Sequence, residues 1–418
     1  MSDPYQPHTE QIETADGQRP FFWSAAWFST VLSAYYIVRP VREALGSMDG
    51  ATRLKYFFAA VFLTMLVAVP VYSELVSRFN RRRLVPIVYR FLALNLLVFS
   101  FLMRLPDGFV AKWVAPVFFV WVSVYVMFLT SLFWSVQADV FTKERGKQLF
   151  GRISASGTAG AIVASLTMGV TATLIGPANM LLISAALMEI GLFCFRRLDP
   201  PARVVSPTDN TAGSGNPLEG FAQVVQSPYL FAILLYTFTT TFCSTSLYMQ
   251  QADVVNAVWP DRDMRTAIFA LLDFGTLITT AVIQVAIAGP VIRRSVGLAM
   301  CLLPLVYAVG FTGLSFSTSI YVLLPLIVLS RACTYGFSVP AIGVLYTIVS
   351  RADKYKAKSI IDTLVIRGGD AVTTWTVSGL RSLGTAASAL AGLLVPVAGV
   401  SMLLAIYLGR RNAQHQPK

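Results

Sequence analysis

The chain has 418 residues, of which 55% are hydrophobic and 13% charged, with a mean hydropathy of +0.64 and a formal charge of +12. Soluble domains carry about 25% charged residues, so this composition argues against a water-soluble globular enzyme. Histidine occurs only at His8 and His415, and the cysteines Cys194, Cys243, Cys301 and Cys333 are isolated. Histidine triads, haem ligation and His/Cys metal sites are therefore disfavoured, and no cofactor is expected.

The polar, acidic stretch Met1 to Pro20 lacks the basic start and short apolar run of a signal peptide, and reads as a disordered cytoplasmic tail. Beyond it lie apolar runs of the roughly 20 residues needed to cross a ~30 Å hydrocarbon core. They predict helices at 21–45, 56–76, 84–103, 113–138, 153–175 and 177–195. Asp199 to Gly220, rich in Pro, Ser, Thr, Asn and Gly, reads as a cytoplasmic linker. Six more helices are predicted at 229–251, 266–288, 296–316, 319–349, 359–380 and 384–408, followed by a tail at 409–418. The expected fold is an all-α polytopic membrane protein with twelve transmembrane helices. They form two six-helix bundles, 21–198 and 221–408.

With both termini inside, the cytoplasmic segments hold 21 Lys and Arg residues and the opposite loops hold 8. This bias sets the orientation and accounts for most of the positive charge without nucleic acid. The expected setting is a bacterial inner membrane, with the lipid bilayer as partner and the chain as a monomer.

The halves repeat at an offset of about 211 residues. The basic turn Arg78 to Arg83 recurs as Arg293-Arg294, and Lys143 to Gln148 is matched by Arg351 to Lys358. A six-plus-six repeat of this spacing resembles the major facilitator superfamily, whose substrates bind between the halves near mid-membrane. The superfamily loop G-x-x-x-D/E-R-x-G-R-R is matched in part: Arg78, Arg81 and Arg82 remain, while Ser73, Ser77 and Asn80 replace the acid and both glycines. Glu74 is the alternative acid for the helix latch that this loop implies.

Four basic residues fall inside spans: Arg39, Arg90, Arg331 and Arg367. A charge at mid-membrane costs at least ~2.5 kcal/mol unless it faces protein or water, so each needs a partner. Asp139, Glu189, Asp273 and Asp370 are the candidate acids, with Arg42 and Glu43 near the outer end of helix 1. Arg90 reads as a structural pair or a snorkelling side chain. Arg331, halfway along its helix, reads as a substrate or ion-pair residue, and Arg367 can pair with Asp370 at i+3. Arginine suits phosphate because its planar fork donates paired hydrogen bonds and keeps its charge. Arg39 maps onto Gln250 in the other half, so the cavity is expected to be electrostatically asymmetric. The small residues from Gly151 to Gly160 read as a helix-packing face.

Two segments carry a closer resemblance. Tyr35-Tyr36-Ile-Val-Arg39-Pro-Val-Arg42-Glu43, and Ser131-Leu-Phe-Trp134-Ser-Val-Gln137-Ala-Asp139-Val-Phe141 leading to Leu149-Phe150-Gly151, are similar to the ATP/ADP translocases of plastids and intracellular bacteria. The resemblance is clearest over residues 25 to 165. It implies nucleotide exchange, with Arg42 where the family has a lysine linked to transport. Trp121, Val122 and Ser123 stand where the family has an acid.

The expected function is alternating-access secondary transport of an organic, phosphorylated anion, with nucleotide exchange its most specific form. Arg39, Arg42, Arg331, Arg367, Tyr35, Tyr36, Trp134, Gln137 and Gln250 are the candidate substrate residues. Asp273, Asp370, Glu43 and Asp139 are the candidates for coupling or ion pairing, with Asp273 and Asp370 expected to form internal ion pairs in the empty carrier. The alternatives are proton-coupled export of an amphipathic drug, lipid-like molecule or metabolite, and a non-transporting receptor.

Overall fold

The structure is a computed structural model that describes residues 18–198, 226–349 and 361–415. The linker, most of the N-terminal tail and the basic segment Arg351 to Lys358 lie outside the described residues. Within them the chain forms twelve long helical passes and no strand. These are α1 (Gln18–Gly46), α2 (Leu54–Arg78), α3 (Arg81–Leu102), α4 (Asp107–Val140), α5 (Lys143–Ile175) and α6 (Pro177–Leu198). The second set is α7 (Pro228–Val258), α8 (Arg262–Arg294), α9 (Val296–Phe316), α10 (Ile320–Ile348), α11 (Ile366–Ser382) and α12 (Ala387–His415).

Several passes outrun their predicted bounds. α1 already includes Gln18 to Pro20, α5 starts at Lys143 rather than 153, and α12 runs to His415 where a tail from 409 was expected. Hydropathy marks where a helix is apolar, whereas its end is set by capping. Thr142 illustrates this, its Oγ1 accepting the Arg145 N–H at 3.5 Å to start α5. Eleven passes are long and apolar enough to cross a membrane among the described residues. The exception is the pass ending in α11, which carries Arg367, Asp370 and Arg381.

Each half has its own core. In the first, Trp27 is fully buried with ring centroids 4.8 Å from Phe133 and 5.1 Å from Phe195. In the second, Tyr307 and Phe311 stack at 5.7 Å. α1 and α5 cross closely because Gly160 lets α5 approach the Ser29 carbonyl, where a Cβ would find no room. The loop before α3 is tied down by Arg81, which is buried, pairs with Asp139 at 3.5 Å and donates from Nε to Ser135 Oγ at 3.0 Å. Glu74 instead pairs with Arg78 one turn along the exposed face of α2, so it builds no latch to α4.

Both described chain ends, Gln18 and His415, lie on one face of the bundle, here the terminal face, since twelve passes return the chain to its starting side. The halves meet toward the opposite, far face. Ala44 of α1 packs with Val255, Phe269 and Leu272, while Leu54, Phe57 and Phe58 of α2 pack with Met249, Ala252 and Val377.

α4, α8 and α10 each contain a π-turn, at Val110–Val114, Ile283–Ala288 and Thr334–Ser338. Each turn ends shortly before a proline: Pro116, Pro290 and Pro340. Proline has no N–H to give the carbonyl five residues earlier, so that acceptor must find another donor. Arg53 Nη1 donates to Ala111 O at 2.9 Å, and Gln284 Nε2 donates to Tyr335 O at 3.1 Å.

Gly160→Leu forces a side chain into the Ser29 backbone. It should cost about 1–3 kcal/mol, read as a lower melting temperature in detergent, whereas Gly151→Leu, where a Cβ meets nothing within 4 Å, should not.

Candidate functional site

The intramembrane charges converge. Asp273 on α8 is 2% exposed, and its Oδ1 lies 3.4 Å from Arg39 Nη1 on α1 and 3.4 Å from Arg331 Nη1 on α10. One carboxylate thus holds two guanidinium groups, one from each half. Arg331 also donates from Nη2 to Gln251 Oε1 at 3.0 Å. Arg42 lies over the Phe119 ring at 3.9 Å, donates from Nε to Phe119 O at 3.2 Å, and stands 3.4 Å from Glu43 Oε1. On α11, Arg367 and Asp370 are 3.8 Å apart, and Thr245 Oγ1 donates to Asp370 Oδ1 at 2.6 Å.

Arg39, Arg42, Glu43, Arg331, Arg367 and Asp370 line one chamber of about 200 Å³ between the halves, together with Tyr248 and Gln251. Four arginines thus face three carboxylates, Asp273 among them. Among the described residues, three buried polar atoms there lack a hydrogen-bond partner: Asp273 Oδ2, Glu43 Oε2 and Gln251 Nε2. Ser244, Thr334, Tyr335 and Asp370 also line a second cavity of about 370 Å³. That cavity runs between α7, α9, α10 and α11 toward Tyr346 and Ile361 near the terminal face.

Other predicted residues lie elsewhere. Tyr36 sits 5.7 Å from the Arg39 guanidinium and edge-on to Tyr35 at 5.3 Å, and both pack on the core of the first half. Trp134 is held among Phe28, Phe133 and Phe150, with centroids 5.3 to 5.5 Å away, and lines neither cavity. Gln137 is fully buried in α4, also outside both cavities. Asp139 is engaged by Arg81 at the terminal-face end of α4. Arg90 pairs with Glu189 at 3.7 Å, both more than half exposed, as a peripheral bridge.

Gln250 lies outside the chamber. It faces small cavities toward α11 and α12, while Gln251 faces the chamber. One helical position rotates a side chain by about 100°, and the repeat alignment is too coarse to choose between them. The stripe Ser244, Thr245, Tyr248 and Gln251 at helical spacing on α7 is the signal that would have found the lining.

On the far side of the chamber the halves are tied by Asp253. Its Oδ1 accepts the Ala51 N–H at 2.6 Å, and its Oδ2 pairs with Arg381. Gly50 makes this approach possible, with φ of +60° and no room for a Cβ beside the carboxylate. Arg262 reaches Asp107 across the same face at 3.4 Å.

Residues 19–363 match the family described as Major Facilitator Superfamily. The chain belongs to that superfamily. Solved structures agree on this major facilitator fold. A point mutant of the nucleoside transporter NupG aligns with TM-score 0.65 at 11% identity, covering 93% of this chain and 98% of that one. A bacterial homologue of the iron transporter ferroportin in an inward-facing state gives 0.64 at 13% identity, covering 96% and 100%. A POT family transporter in complex with 5-aminolevulinic acid gives 0.63 at 13%, covering 94% and 96%. Among curated proteins, no sequence matches significantly. This major facilitator is an integral membrane transporter and not an enzyme.

If the far-face contacts form a gate, tethering it shut should stop transport. Cysteines at positions 107 and 262 joined by a bifunctional reagent should abolish uptake, and cleaving the tether should restore it, as measured in proteoliposomes.

Proposed function

We propose that this transporter carries an organic, phosphorylated anion by alternating access and exchange. The observation that supports the reading best is the chamber itself, where among the described residues arginines outnumber carboxylates and Gln251 Nε2 is a buried donor without an acceptor. An anion supplies what is missing: negative charge for the surplus guanidinium and lone pairs for the amide. Asp273 occupies the role of a built-in counter-ion, so an entering anion competes with it for Arg39 and Arg331. Because a ligand shifts a conformational equilibrium only through differential affinity, that competition favours reorientation with substrate bound. Nucleotide exchange is the most specific form of this proposal, supported by the similarity of Tyr35 to Glu43 and Ser131 to Gly151 to the ATP/ADP translocases. The excess of Lys and Arg on the terminal face supports placing both termini in the cytoplasm, in a bacterial inner membrane. The working unit in this proposal is the monomer.

A second reading, proton-coupled export of an amphipathic molecule, is favoured by Asp273 Oδ2, a buried carboxylate oxygen without a hydrogen-bond partner among the described residues.

Proteoliposomes separate the two. Exchange requires preloaded anion and responds little to an imposed pH gradient, whereas proton coupling responds to the gradient without preload. Arg331→Gln should lower anion uptake at least about 30-fold, as expected when one partner of a buried charge pair is removed at roughly 2 kcal/mol. Arg90→Gln, at an exposed pair, should leave uptake near wild type. Wild-type uptake by Arg331→Gln would overturn the anion reading.

A further inference from the structure

The chamber between the halves is too small to hold an organic molecule alone. At about 200 Å³ it falls below the ~300–1,000 Å³ of small-molecule sites, yet Arg39, Arg42, Arg331 and Arg367 all line it. The adjoining cavity of about 370 Å³ has the opposite character. Its lining comes wholly from the second half, and among the described residues Asp370, at the junction with the chamber, is its one charged group. Leu303, Val339 and Ile342 supply apolar wall, and Tyr307, Tyr335 and Tyr346 supply rings.

Four of the hydroxyls in that wall share a polarity. Tyr236 donates to Met300 O at 3.0 Å, Thr237 to Ile233 O at 2.9 Å, Thr240 to Tyr236 O at 2.8 Å and Thr334 to Ser330 O at 2.9 Å. With these four protons committed to backbone carbonyls, the oxygen lone pairs at these positions are what a ligand can use. At these four positions the wall accepts hydrogen bonds.

We propose that the carried molecule is bipartite, with an anionic head in the arginine chamber and an uncharged body bearing N–H or O–H donors in the hydroxyl-lined cavity of the second half. The head touches both halves and the body only one, so charge drives the coupling between halves while the body sets specificity. This rests on the anion reading above, which the head alone can test.

Gly343 provides the instrument. It lines the body cavity, and a Cβ there would meet no atom within 4 Å. Gly343→Leu thus fills the cavity while leaving the chamber untouched, and replacing glycine within a helix favours the fold. Gly399→Leu on α12, also without a neighbour within 4 Å and outside both cavities, controls for the added side chain. The probes are inorganic phosphate, 4-methylphenyl phosphate and 4-aminophenyl phosphate, measured by thermal shift and by competition in proteoliposome exchange.

Wild type should bind 4-aminophenyl phosphate about tenfold or more tighter than inorganic phosphate, with 4-methylphenyl phosphate between them. Gly343→Leu should erase that gain and leave inorganic phosphate unchanged, while Gly399→Leu keeps both. If inorganic phosphate binds in an Arg331-dependent way but the aryl groups add nothing, or if Gly343→Leu keeps the gain, the bipartite proposal fails and the anion reading stands. Equal binding of the methyl and amino compounds overturns the donor requirement. If no probe binds wild type, inorganic phosphate included, both fall together.

Discussion

A single carboxylate organises the interior of this transporter. Asp273 lies at membrane depth, nearly sealed from solvent, and is shared by Arg39 from one half and Arg331 from the other. Removing any of these charges from water is costly, and each is tolerable there because the others are within reach. The bridge between α1 and α8 also joins the two halves, so it depends on how closely they approach. Separating them at the far face would strand a guanidinium and a carboxylate in a poorly solvated site. The same trio thus sets the charge of the chamber and penalises one class of motion.

The backbone of two of the helices that carry the trio is irregular. In α4, α8 and α10 a π-turn ends two residues before a proline, which has no N–H to donate. On α10 the turn begins three residues after Arg331 and places Thr334 and Tyr335 at the junction of the two cavities. Its released carbonyl is met by Gln284 from the neighbouring turn of α8, the helix that carries Asp273. The two helices that hold the second-half members of the charge trio are thereby tied at their irregular segments as well as by the ion pair.

The superfamily fold accommodates cargoes as different as those named for its structural neighbours, a nucleoside transporter and a homologue of an iron transporter among them. Fold therefore does not choose the cargo, and the chemistry of the lining must. Here that lining divides into a compact charged compartment and a larger hydroxyl-rich one, a contrast that composition alone does not express.

The sequence by itself determined that the chain crosses a membrane, how many times, and which arginines require partners. Each of these follows from the cost of polar groups in hydrocarbon, which acts on every segment locally. It also isolated Arg39, Arg331, Arg367, Asp273 and Asp370 as charges out of place. Only the tertiary structure decided who meets whom. Asp273 is 234 residues from Arg39 and 58 from Arg331 along the chain, and their meeting depends on how α1, α8 and α10 are rotated and packed. The same rotation placed Gln251 in the chamber and turned Gln250 away, buried Gln137 outside it, and engaged Asp139 with Arg81. Helix ends escaped the hydropathy reading because caps set them. The division of the lining into a charged and a hydroxyl-rich compartment escaped it because such a surface exists only once several helices converge.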